Sequence, residues 1–332
     1  MNGFEVLAFV RHLVLLVGSV LLVSACGGGG GGGGGDDSEP PNWAIVSSTT
    51  QSGVNLSAVE FGNGVFVALG HNGIGSNANL NGVASAVSIS TDGSTWNAQL
   101  LDLSGFGGIL QGLAFGEGRF VAVSSSGDIV ASTDGVAWDR VVTDVQHLGS
   151  TVDLASVAYG DGVFVASGVG GVHLVSDDGL AWSEVRQGPG GVPIQFANGR
   201  FIAHAGSVVY VSTDRAETWS TIDMTALGVS LAGIAYGNGV YVATDELGRI
   251  ATSPDLTTWT VRADLGGPVN QLQFVNGWFF MLSGNVIHAS ADGRDWDSFR
   301  IPTPAFDIYD VAYGNGRFIA VGAPGLTVRG TP

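Results

Sequence analysis

The chain contains no lysine. All 12 of its basic residues are arginines, set against 29 acidic ones, for a net charge of −17. A chain this acidic repels nucleic acid and anionic lipid head groups, so nucleic acid is excluded as a partner. There is a single cysteine, Cys26, so no intramolecular disulfide can form and packing alone must hold the fold. Charged residues make up only 12% of the chain, too few for a solvated disordered tail. The N-terminal apolar run, 13–23, falls short of the roughly 20 residues a membrane span needs. What is abundant is glycine, 54 of 332 residues. A Gly-rich, apolar, weakly charged chain reads as many short strands joined by tight turns.

Arg11 and His12 precede the apolar run, and Val23-Ser24-Ala25-Cys26 follows it. A short basic region, an apolar stretch and a small-residue cleavage site make residues 1–25 a secretory signal. The last four of these residues resemble a bacterial lipobox. The resemblance implies cleavage before Cys26, diacylation of its thiol and acylation of the new amino terminus. Several acyl chains give stable anchoring where one does not. Residues 27–35 are all glycine, and Asp36-Asp37-Ser38-Glu39-Pro40-Pro41 follows. Together with Cys26 they form a tether, 26–41, with a reach of about 20 Å. Gly27 stands after the cysteine where aspartate would signal inner-membrane retention. By resemblance to Gram-negative sorting rules, the expected location is the outer membrane, on its periplasmic side or at the cell surface.

From residue 42 onward the chain repeats. An aromatic residue, a Gly-rich turn and an alternating strand occur seven times, first as Phe61-Gly62-Asn63-Gly64-Val65-Phe66-Val67-Ala68 and then from Phe115, Tyr159, Phe196, Tyr236, Phe274 and Tyr313. The turn pairs include Asn63-Gly64, Asp161-Gly162 and Asn315-Gly316. Asn-Gly and Asp-Gly between alternating strands are strong hairpin signals, because a type I′ turn needs positive φ at both centre positions. Successive turns lie 37 to 54 residues apart. Periods near 40 with about four strands each predict propeller blades, so the expected fold is an all-β, seven-bladed β-propeller over 42–332.

A second motif falls later in each period: Ser90-Thr91-Asp92-Gly93-Ser94-Thr95-Trp96, with relatives ending at Trp138, Trp182, Trp219, Trp259 and Trp296. Ser and Asp side chains close such turns through local backbone hydrogen bonds. Gly93, Gly135, Gly179 and Gly293 can supply positive φ, and the tryptophan is expected to pack into the seam between strands. These residues resemble the Asp-box, or BNR, repeat of sialidase-type propellers. Most copies are one residue shorter than the usual box, and 212–219 keeps the longer spacing with Ala216 where glycine is expected. Six copies carry the box and seven carry the hairpin. The seventh ends without its fourth strand, so Asn42-Trp43-Ala44-Ile45-Val46 is predicted to close the ring as the outer strand of the last blade, with Trp43 buried.

The resemblance also sets the candidate sites. Asp92, Asp134, Asp178, Asp214, Asp255 and Asp292 are read as turn closers, not catalysts or metal ligands. Sialidases resemble one another in three converging arginines. Here Arg119, Arg200 and Arg317 share one repeat position in different blades, on the face away from the expected ligand side, so they cannot meet. No catalytic residue is assigned. No histidine pair has metal-ligand spacing, and neither a metal nor a cofactor is expected. Asp102, Asp144, Asp223 and Asp264 follow fourth strands and are read as solvated strand ends, with a Ca²⁺-holding ring around the channel as the alternative. The largest departure from the repeat lies in blade one. There His71, Asn72, Asn77, Asn79 and Asn81 belong to an insertion on the expected binding face. Asn side chains offer donors and acceptors suited to sugars or peptide backbone. The loop carrying His147 is the second candidate, and Tyr309 is the tyrosine near that face outside the aromatic repeat positions. The favoured function is a non-enzymatic, lipid-anchored envelope propeller binding a protein or glycan. The alternatives are a sialidase-like glycan hydrolase and a propeller resembling photosystem assembly factors.

Overall fold

The computed structural model describes residues 39–46, 54–72, 85–101, 108–142, 145–186, 188–225, 230–302 and 307–332. Cys26, the rest of 1–38, and Asn77, Asn79, Asn81, Asp102 and Asp144 lie outside these residues. No described helix is long and apolar enough to cross a membrane.

Seven four-stranded antiparallel sheets form the blades of a propeller. They span 54–100, 110–142, 154–186, 194–223, 231–264, 271–300 and 307–331, the last completed by Asn42–Val46. In six blades the strands lie in sequence order from the bore outward, and in the seventh the N-terminal Asn42–Val46 is the outermost. The closure follows the sequence expectation. Asn42–Val46 pairs antiparallel with Leu326–Thr331, placing Trp43 opposite Gly330.

The hairpins between first and second strands use the expected turn chemistry. Asn63, Glu117, Asp161, Asn198, Asn238, Asn276 and Asn315 all have left-handed φ, between 46° and 51°. Three of the asparagines also do something the turn does not require. Asn63 Nδ2 donates to the carbonyls of Gly118 and Thr133 in the next blade, both at 2.8 Å. Asn238 reaches Gly277 and Ala291 in the same way, and Asn315 reaches Gly64 and Thr91 across the closure seam. A turn residue is therefore also an inter-blade staple. The glycine after the repeat aromatic has a different reason. A Cβ on Gly116 would lie 2.2 Å from the Tyr159 ring of the following blade.

The apolar core is divided among the seams. Seven clusters of buried residues each draw on two adjacent blades. The tryptophans thus pack between blades, which corrects the expectation of a seam between strands. Trp96, Trp138, Trp182, Trp219, Trp259 and Trp296 each join the cluster shared with the preceding blade. The seventh seam, between blades six and seven, has no box tryptophan. Trp43 fills it, 6% exposed and 5.7 Å from the Phe280 ring.

The boxes are hydrogen-bonded turns. Ser90 Oγ accepts the Gly93 N–H at 2.8 Å and donates to Asp92. Asp92 Oδ1 accepts from the N–H groups of Ser94 and Thr95, both at 2.8 Å. The pattern recurs at Asp134, Asp178 and Asp292, and Asp255 likewise accepts two backbone N–H groups. In the long box Ala216 takes the glycine's place at φ 68°, its N–H on Ser212 Oγ, while Thr218 caps Asp214. In blade five Leu256 occupies that place at φ 69° and is 1% exposed.

Trp43 carries the closure, so Trp43→Ala is expected to cost about 3–5 kcal/mol of stability, the range for emptying a large aromatic site. The reading is a lower urea midpoint. An unchanged midpoint would contradict a last blade completed by Asn42–Val46.

Candidate functional site

The inner strands run from one face of the ring, where the inter-blade loops lie, to the hairpin turns on the other. In five blades the pairing of the inner strand shifts register by one residue, between Leu56 and Ala58, Leu110 and Gly112, Leu154 and Ser156, Leu231 and Gly233, and Ile308 and Asp310. A β-bulge leaves one residue unpaired and re-aims it. The unpaired residues are Ser57, Gln111, Ala155, Ala232 and Tyr309, and all line the bore. The bore is a cavity of about 600 Å³ walled by the inner strands of all seven blades.

Ties between neighbouring inner strands repeat around this wall. Val59 N–H donates to Asp310 Oδ2 at 2.8 Å, and Ile194 N–H donates to Ser156 Oγ at 3.2 Å. Gln273 donates to the Val311 carbonyl at 3.1 Å, and Gln195 donates to the Ile234 carbonyl. Asn270 donates to Ile308. One residue before the repeat aromatic stand Glu60, Ala114, Ala158, Gln195, Ala235, Gln273 and Ala312. Glu60 therefore occupies a position where glutamine makes the inter-blade tie and alanine is the default. An ionised carboxylate cannot donate that hydrogen bond.

Glu60 and Asp310 both line the bore at the closure seam. Both are half-buried in the wall, with the solvent of the bore on one side. Burial, with the Asp310 charge second, pushes the Glu60 carboxyl up to about 8. Burial pushes Asp310 up to about 7 and outweighs the N–H groups of Val59 and Val311 and the Gln273 amide. The Asp310 charge thus adds to the cost of ionising Glu60. His204 also faces the bore, because the inner strand of blade four is only Ile194–Ala197 and leaves the second strand uncovered there. Burial lowers His204 to about 4, so it is neutral at pH 7. Burial, with Asp307 second, raises the Tyr309 phenol.

The sequence-predicted residues are not brought together. Tyr309 lines the bore. His71 lies near the end of the second strand of blade one, paired with Ser85, and Asn72 ends that strand. His147 sits in a small extra hairpin, Gln146–His147 with Ser150–Thr151, 4.0 Å from Glu184. Asp223 and Asp264 end outer strands and are exposed at the rim, so a calcium ring around the channel is ruled out for them by blade geometry. Among the described residues no three metal-ligating side chains cluster. Arg317 donates to the Asp92 carbonyl, and the Asp178 carboxylate feels Arg119. Both arginines serve neighbouring boxes. No arginine lines the bore among the described residues. Sequence reasoning missed Glu60, Asp310, His204 and the amide row. The readable signal was a departure from alanine at one column of the repeat.

No protein-family model matches the chain, and no curated protein sequence does. Solved structures match its fold. YCF48 from Cyanidioschyzon merolae superposes with a TM-score of 0.65 at 15% identity, over 87% of this chain and 98% of that one. A structure described as YCF48 bound to D1 peptide gives 0.67 at 16%, over 89% and 98%. Virginiamycin B lyase from Staphylococcus aureus, with quinupristin, gives 0.69 at 9%, over 88% and 99%. These likenesses show a seven-bladed propeller.

The bore carboxyls make stability depend on pH. Their native pKa values lie above the unfolded ones, so the native state holds protons that the unfolded chain releases. Stability therefore falls as pH rises, through a window ending near 8. His204 acts oppositely, but only below about 6.5, leaving the upper part of the window to the carboxyls. Glu60→Gln should flatten the decline between pH 6.5 and 8.5 and raise the thermal midpoint at pH 8.5 by about 2–5 °C. Parallel melting curves for the two proteins across that range would refute the assignment.

Proposed function

We propose that this protein is a non-enzymatic binding propeller, lipid-anchored in the cell envelope, whose ligand is a segment of a partner protein received in the bore. The observation that carries this reading is the bore itself. Its wall combines amide side chains, which match peptide backbone, with a carboxyl pair that no arginine in the described lining neutralises. In a chain of net charge −17 without lysine, such a wall favours a basic segment. Of the readings weighed from sequence, the likeness to YCF48, one structure of which is described with a bound peptide, supports the assembly-factor-like one over the sialidase-like one. The Asp-box resemblance adds support for the repeat architecture. A sialidase site would need arginines converging on the bore, and Arg119 and Arg317 are engaged at boxes instead.

Two experiments test the reading. A peptide array probed with the mature protein should return basic peptides whose binding weakens with salt. At pH 8.5, where Glu60 is ionised, Glu60→Gln should weaken that binding by about tenfold or more, the cost of removing one partner of a desolvated charge pair. Equal binding of acidic and basic peptides, or turnover of fluorogenic glycosides, would overturn it. For the anchor, Cys26→Ser should move the protein from the detergent to the aqueous phase on detergent partitioning, and retention in the detergent phase would refute lipidation at Cys26.

A further inference from the structure

On the turn face of the ring, at the seam between blades five and six, lies a second groove of about 570 Å³. It is independent of the bore. Two arginines line it, Arg262 from the outer strand of blade five and Arg294 from the box of blade six. The chain has only 12 arginines, and its net charge of −17 works against holding cations unpaired.

Both are unpaired. Neither guanidinium forms an ion pair among the described residues. Arg262 is the extra residue of a β-bulge: Ala251 pairs with Val261 and Ile250 with Ala263, which leaves Arg262 between them. Its Nε donates to Thr252 Oγ1 at 2.8 Å, which fixes the head group and leaves its terminal nitrogens available. Arg294 is exposed. The other polar groups of the groove divide cleanly. Asn238 is used by the carbonyls of Gly277 and Ala291, and Ser253 by Asp255. Asp292, the one carboxylate of the groove, feels the Arg294 charge, but its Oδ1 already accepts from the N–H groups of Arg294 and Asp295 at 2.8 and 3.0 Å and from Ser290. Thr258 and Thr260 add hydroxyls, and Val240 and Pro254 add apolar surface.

We infer that this groove binds an acidic saccharide, with Arg262 and Arg294 holding its carboxylate or sulfate group. Guanidinium donors are suited to planar or tetrahedral oxyanions. The volume falls within the range of small-molecule pockets and far exceeds that of a lone ion. Hydroxyls beside apolar carbons suit the mixed faces of a sugar ring. This goes beyond the bore reading, since the two sites share no lining residue.

The test is calorimetric titration of the mature protein with oligogalacturonate, a sulfated oligosaccharide, a neutral oligosaccharide and inorganic sulfate. Binding of at least one acidic oligomer is expected, the two arms separating carboxylate from sulfate. Arg262→Gln and Arg294→Gln should each weaken it by about tenfold or more, as loss of a charge-assisted hydrogen bond does. The Arg294 side chain is exposed and its hydrogen bond in the box runs through its backbone N–H, so its variant remains folded and informative even if Arg262→Gln perturbs the bulge. Both variants should bind basic peptides as the parent does, which separates failure here from failure of the bore reading. Absence of binding by both acidic oligomers would overturn the inference, as would binding indifferent to both variants, equal binding of the neutral oligomer, or inorganic sulfate binding as tightly as the oligomers.

Discussion

Every blade of this protein is half of two cores. A four-stranded sheet with two apolar faces cannot bury either one alone, so each seam needs a partner on both sides and the ring must close. Seven seams require seven large fillers, and the chain supplies a tryptophan to each. Six arrive as the last residue of a box. The seventh, Trp43, comes from the opposite end of the repeat region and reaches its seam only because Asn42–Val46 pairs with Leu326–Thr331. Closure is thus a packing requirement before it is a topological one.

The same seams explain where the repeat tolerates departures. A left-handed backbone at a bulky residue costs free energy, and glycine is the usual answer. Leu256 and Ala216 adopt that conformation regardless. Both are buried in seam clusters, Leu256 between blades four and five and Ala216 between blades three and four. There apolar burial offsets the backbone strain.

Function enters where the repeat is broken on the inside. Alanine is the neutral choice one residue before the repeat aromatic, and glutamine at Gln195 and Gln273 ties one blade to the next. Glu60 does neither, and it faces Asp310 across the closure seam in a place that disfavours charge. A residue that weakens the fold at neutral pH, where glutamine would strengthen it, is the physical ground on which the bore is proposed as a binding site. The arginines of the groove between blades five and six depart from the chain's own electrostatics in the same sense.

The linear chain by itself determined the architecture. The spacing of aromatic, turn and box depends on local backbone chemistry, which each period carries complete: positive φ at Asn-Gly, side-chain closure by Ser and Asp, alternation along the strand. Counting seven hairpins against six boxes was enough to place Trp43. What surrounds the bore could not be read that way. Tyr309 faces it because a bulge re-aims one residue, and His204 because a neighbouring strand is short. Glu60 and Asp310, 250 residues apart, meet only when the ring closes. The turn asparagines became staples for the same reason, since their acceptors belong to another blade. Contacts between periods are set by how blades stack, and only the assembled ring determines them.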